Sequence, residues 1–101
     1  MPSLEDLKSL CDSCPDDPFP VYGYAIELKK RGRADDALVA FGELLEKFPG
    51  YIPGHQHRAM TLAAVGRVED ARAAFRHGIK VAKQAGDHHA ASEMEAGLDA
   101  L

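Results

Sequence analysis

The segment Ala25–Phe41, AIELKKRGRADDALVAF, returns 34 residues later as Ala59–Phe75, AMTLAAVGRVEDARAAF. Eight positions are unchanged: Ala25/Ala59, Leu28/Leu62, Gly32/Gly66, Arg33/Arg67, Asp36/Asp70, Ala37/Ala71, Ala40/Ala74 and Phe41/Phe75. A fixed period of this length marks a repeat architecture whose unit is a helix pair too small to bury its own apolar face, so that a core forms only when neighbours stack. The chain therefore reads as a small, all-α helical solenoid. Solenoids expose an extended concave surface and act by holding something else, which argues for a binding module before any chemistry is considered.

Working outward from the repeat, Gly32 and Gly66 mark the turns inside each pair, and Pro49-Gly50 ends the first pair. Ala37, Leu38, Phe41, Leu44, Leu45 and Phe48 fall on one broad stripe, the strongest amphipathic signal in the chain. In the second pair Val68, Ala71, Phe75, Ile79 and Ala82 point inward by the same spacing. Upstream, Ser3 with Glu5 and Asp6 suits a helix start, and Leu4, Leu7, Cys11 and Cys14 follow at 3-4-3 spacing. Pro15-Asp16-Asp17-Pro18 breaks that helix, with Asp17 as the cap and Pro18 as the first position of the next, which should run to about Arg31. Pro53 suits the start of the following helix, and Gly86 closes the second pair. Asp87 caps a last helix in which Ala91, Met94, Leu98 and Leu101 again lie at 3-4-3 spacing. This makes six helices, divided as an N-terminal helix and linker over 1–17, repeats over 18–51 and 52–86, and a capping helix over 87–101.

The spaced positions resemble the tetratricopeptide repeat family, in which the eighth residue of the unit is small, the eleventh large, the fifteenth a turn glycine, the twentieth Ala, the twenty-fourth aromatic and the thirty-second often Pro. Counted from Pro18 these are Ala25, Leu28, Gly32, Ala37, Phe41 and Pro49; counted from Ile52 they are Ala59, Leu62, Gly66, Ala71 and Phe75. The usual bulky fourth residue is Val21 in one unit and His55 in the other, and Lys83 replaces the second proline. The whole is also similar to small bacterial stand-alone repeat proteins with an Asp-Asp-Pro-Phe entry, here Asp16 to Phe19, and a Gly-Ile-x-x-Ala-x-x-x-Gly segment, here Gly78 to Gly86. The resemblance implies a right-handed α-solenoid of two helix pairs with flanking helices. It also implies that the first helix of each pair lines the concave face. The family's ligand-facing positions map to Phe19, Tyr22, Ile26, Lys29 and Lys30 in one repeat. In the next they map to Gln56, His57, Met60, Ala63 and Ala64. The implied role is a non-enzymatic adaptor that holds a peptide or helix of a protein partner by apolar contacts, with help from Lys29 and Lys30.

Other chemistries find less support. Cys11-x-x-Cys14 has the spacing of a zinc half-site or a redox dithiol, but both thiols continue the Leu4–Leu7 stripe and no second cysteine pair exists, so packing is the expected role. His55, His57, His88 and His89 sit at i, i+2 and i, i+1 spacings that point helical side chains apart. No metal or cofactor is expected. The hydroxyls of Ser3, Ser9, Ser13, Thr61 and Ser92 lie in no Gly-x-Ser-x-Gly turn, and there is no phosphate loop or His-Glu-x-x-His helix, so an enzyme is not expected. The net charge of −4 disfavours nucleic acid. No stretch approaches the roughly 20 apolar residues of a membrane span, and the N-terminus lacks a signal-peptide pattern, so a cytoplasmic location is expected.

The charge is unevenly placed. Residues 1–17 and 87–101 each carry −4, while residues 18–86 carry +4. Arg72, Arg76, Lys80 and Lys83 form a basic stripe that is either a solvated face or a partner for an acidic flank. Two repeats leave large end faces, and a flank could cover an end of its own chain or of a neighbour, so a partly populated homodimer is expected. The alternatives to an adaptor are therefore a structural homo-oligomer and, behind it, a Cys-dependent metal or redox protein.

Overall fold

Proline and glycine punctuation sets the helix ends in the computed structural model, which describes residues 3–101. Along these residues lie six helices and no strand: α1 (Leu4–Ser13), α2 (Pro18–Lys30), α3 (Ala34–Lys47), α4 (Ile52–Ala64), α5 (Val68–Gln84) and α6 (His88–Asp99). The chain divides into two compact units, one ending at Pro49 and the other beginning at Gly50. In the first, α2 packs against both α1 and α3; in the second, α5 packs against α4 and α6, and α6 also touches α4.

Local chemistry explains each boundary. At α1 the Asp6 N–H donates to Ser3 Oγ at 3.0 Å while the Ser3 N–H donates to Asp6 Oδ2 at 3.2 Å, a reciprocal capping box. At α2 the Phe19 N–H donates to Asp17 Oδ1 at 3.0 Å, with Pro18 at the first helical position. Asp17→Ala removes this acceptor and is expected to lower stability by about 1 kcal/mol, read as a shift in a urea denaturation curve.

Three helices end alike. Gly32, Gly66 and Gly86 have φ of 76°, 83° and 77°, a left-handed conformation that costs glycine nothing. Each glycine N–H bonds back to Lys29, Ala63 or Lys83, and the next N–H reaches Leu28, Leu62 or Ala82 at 2.9 Å. This is the Schellman closure, repeated three times. The recurring Arg and Asp also have a physical reason. Arg33 pairs with Asp36 and Arg67 with Asp70, both at 2.8 Å across the first turn of a second helix. Both pairs are more than half exposed, so each adds only a few tenths of a kcal/mol.

The apolar members of the 34-residue period form the core. Ala25/Ala59, Leu28/Leu62, Ala37/Ala71, Ala40/Ala74 and Phe41/Phe75 are all buried, none more than 6% exposed. Leu44 completes the first core; Ala82, Ala90, Ala91 and Met94 extend the second. Thr61 is buried in the last turn of α4, with its hydroxyl satisfied by donating to the His57 carbonyl at 2.7 Å. Val68 and Ile79, read as inward, are half-buried, as are Leu38, Leu45 and Phe48 on the α3 stripe.

The flanking helices differ in how they seat. On α1 the stripe Leu4, Leu7, Cys11 and Cys14 is the less exposed face, yet all four are only half-buried and α1 has no buried residue. A helix packed on one neighbour shields one face partially, which is why the expected core role of the two thiols is met only halfway. On α6, by contrast, Ala90, Ala91 and Met94 are buried. Two glycines allow this close seating. A Cβ at Gly97 would lie 2.7 Å from the Phe75 ring, and one at Gly78 would lie 2.6 Å from Met94 Sδ and 3.1 Å from His55 Cβ.

Half of the basic stripe meets the acidic C-terminal flank. Lys83 pairs with Glu95 at 3.0 Å, and Arg72 donates to the Leu101 carbonyl at 3.0 Å as well as to Glu69. Arg76 and Lys80 are exposed and form no ion pair among the described residues.

Candidate functional site

Two helix faces carry the residues assigned to the partner, one in each unit. On α2, Phe19, Tyr22, Ile26, Lys29 and Lys30 fall at i, i+3, i+7, i+10 and i+11, a spacing that puts them on one side of the helix. The opposite side sends Ala25 and Leu28 into the core, so burial of the repeat positions turns this face outward. Phe19 is 66% exposed, and its ring centroid lies 6.3 Å from that of Tyr22 with the planes tilted by 46°. Tyr22, Ile26 and Lys29 are half-buried and Lys30 is exposed. Neither lysine forms an ion pair among the described residues, whereas their neighbour Glu27 is held by Arg31 at 3.0 Å.

On α4, Gln56, His57, Met60, Ala63 and Ala64 fall at i, i+1, i+4, i+7 and i+8 and share a side, while Ala59 and Leu62 fill the core. Met60 is 41% exposed, Gln56, His57 and Ala63 are half-buried, and Ala64 is exposed. Each unit therefore gathers its own five residues on one face. The α2 face is aromatic with a cationic end; the α4 face carries a flexible thioether, at Met60, beside Gln56, His57 and two alanines.

The remaining candidates are dispersed. Among the described residues no group of three or more His, Cys, Asp or Glu is placed to hold a metal. Burial first, and then the charge of Asp12, push the Cys11 thiol above its ordinary value, which disfavours the thiolate. His55 is buried, with its ring edge-on to that of His77 at 5.1 Å between centroids, while His88 and His89 are exposed on α6, where His89 pairs with Glu93 at 2.8 Å. No helix among the described residues is long and apolar enough to cross a membrane.

Sequence spacing missed a cleft beneath α1. It is lined from α1, α2 and α3, including Tyr24 and Glu43, which belong to no recurring pair and so carried no periodic signal.

No family model and no curated protein matches the chain. Solved structures do. A solution NMR structure of a tetratricopeptide repeat domain protein from Salinibacter ruber is 33% identical over 83% of this chain and 85% of that one, with a TM-score of 0.78. A crystal structure from the same organism, again of a tetratricopeptide repeat domain protein, is 32% identical over 82% and 92%, with a TM-score of 0.75. A solution structure of a Bordetella parapertussis protein shares the fold at 22% identity, over 98% and 87%, with a TM-score of 0.83. With its period-34 core, its glycine-closed helix pairs and these relatives, the chain belongs to the tetratricopeptide repeat family, a family of helical-repeat protein-interaction modules.

Proposed function

We propose that this chain is a non-enzymatic adaptor, binding an apolar peptide segment or amphipathic helix of a protein partner through the outward faces of α2 and α4. The carrying observation is the Phe19–Tyr22 pair, two neighbouring rings on one outward face with Phe19 two-thirds exposed, which together offer a partner a contiguous aromatic surface. Rigid aromatic side chains with few rotatable bonds are the residues that most often anchor an interface. Met60 on α4 supplies an adaptable apolar contact suited to a helix laid against it. Lys29 and Lys30, which form no ion pair among the described residues, suit acidic residues at the edge of the bound segment.

Tyr22→Ala combined with Met60→Ala is expected to abolish partner capture from a cell extract of the source organism while leaving the far-ultraviolet circular dichroism unchanged. Undiminished capture would sink the assignment of these faces. The same samples, sized by light scattering, address self-association. The Ala91–Met94 stripe is covered by α5, which leaves α1, with Leu10 49% exposed, as the flank available to a second copy. A dimer mass that falls to a monomer mass for Leu10→Ser supports that reading, and a monomer mass at every concentration overturns it.

A further inference from the structure

A cleft of about 380 Å³ opens in the first unit, between α1, α2 and the C-terminal half of α3. On α2 it uses Val21 and Tyr24, which lie off the Phe19–Tyr22–Ile26 face, so it is a separate site from the one proposed above. Its volume falls in the range of small-ligand pockets.

The lining has a definite chemistry. Ala40 and Leu44 are buried and give an apolar floor, and Tyr24 and Phe48, both half-buried, add aromatic walls. Four exposed charged residues stand at the rim: Lys8 and Asp12 from α1, Glu43 and Lys47 from α3. Lys47 is engaged, with its Nζ donating to the Pro15 carbonyl and lying 5.6 Å from the centroid of the Phe48 ring. The side chains of Lys8, Asp12 and Glu43 form no hydrogen bond or ion pair among the described residues, and neither does the Tyr24 hydroxyl. The cleft thus offers two uncommitted carboxylates and a phenolic oxygen above an apolar floor.

We propose that this cleft binds an organic cation on an apolar stem, a primary ammonium or guanidinium, with the stem against Leu44 and the rings and the head between Glu43 and Asp12. Ring faces attract cations and repel anions. The protein's own Lys47 already adopts this arrangement at the rim, an ammonium over an aromatic face with an oxygen acceptor. Lys47 is committed to the Pro15 carbonyl and the Phe48 ring, so an anion would gain chiefly from Lys8 and lose against both carboxylates and the Tyr24 ring. Lys8 and Lys47 oppose a cation, but Lys8 is an exposed side chain on a long flexible stem and can turn its charge into water, while Lys47 is held at the Pro15 carbonyl. The same chemistry comes from a free alkylamine or from a Lys or Arg side chain of a peptide.

The test is a titration of the full chain, followed by amide NMR shifts, with hexylammonium chloride, sodium hexanoate and hexanol at constant ionic strength. Hexylammonium is expected to give saturable shifts at Tyr24, Glu43 and Phe48, with hexanoate and hexanol at least about fivefold weaker. Glu43→Gln, an exposed position whose loss leaves the core intact, is expected to weaken hexylammonium binding by about two- to fivefold. A capped Lys- or Arg-bearing dipeptide that binds more tightly than hexylammonium identifies a peptide side chain as the source, and the reverse order identifies a free amine. The proposal is overturned by hexanoate binding as well as the amine, by shifts that do not saturate, or by a Glu43→Gln protein that binds unchanged. Because the Tyr22 and Met60 variants leave this cleft untouched, its failure and that of the adaptor reading are separately visible.

Discussion

Replacing Phe41 or Phe75 by alanine is expected to lower the unfolding free energy by about 3–5 kcal/mol, a large share of the roughly 5–15 kcal/mol that holds a domain together. The two residues occupy the same repeat position, and Phe41 is fully buried while Phe75 is 3% exposed. Truncation removes the transfer free energy of the ring and leaves a cavity whose cost depends on how far the surroundings can collapse. At Phe75 that collapse is hindered, because the facing residue on α6 is Gly97, which has no side chain to move into the space. Phe75→Ala is therefore expected at the upper end of the range. Glu46→Ala, on the exposed side of α3, should change stability by less than about 0.5 kcal/mol and serves as the control. Urea denaturation of the three variants decides the matter. A loss under about 1 kcal/mol at either Phe would mean that the ring does not carry the packing of its unit.

The second large effect lies on the other side of the same contact. Alanine normally stabilises a helix relative to glycine by about 1 kcal/mol, and Gly42→Ala should follow that rule, since a Cβ there meets nothing within 4 Å. Gly97→Ala should break it. The added methyl would lie 2.7 and 2.8 Å from two atoms of the Phe75 ring, a distance that real Cβ atoms do not show, and the ring is buried and has nowhere to go. Overpacking of this kind costs about 1–3 kcal/mol, enough to exceed the gain in propensity. The expected outcome is a change of sign between two substitutions of identical chemistry in two helices, one stabilised by about 0.5–1 kcal/mol and the other destabilised. If Gly97→Ala also stabilises, α6 does not sit as closely on α5 as the structure has it.

The recurring pairs that set the fold were legible in the sequence because they act locally or through a fixed period. Gly32 and Gly66 announce left-handed helix ends that glycine adopts without strain, Asp17 and Ser3 announce caps, and the Ala, Leu and Phe positions recur with the 34-residue period of a helix-pair repeat. Their burial then determines, by exclusion, that Phe19 and Met60 face outward, since a helix that commits Ala25 and Leu28, or Ala59 and Leu62, to the core has only its other face to offer. What a single sequence cannot contain is the distance between residues that share no period. The approach of Gly97 to Phe75 and the pairing of Lys83 with Glu95 depend on how closely α6 settles on α5. The shallow seating of α1, whose Leu4–Cys14 stripe has the same 3-4-3 spacing as that of α6, leaves a cleft where an identical pattern elsewhere gives a buried core. Periodicity fixes which face of a helix is apolar; how deep that face is buried depends on the shape of the surface it meets, and that belongs to the tertiary structure alone.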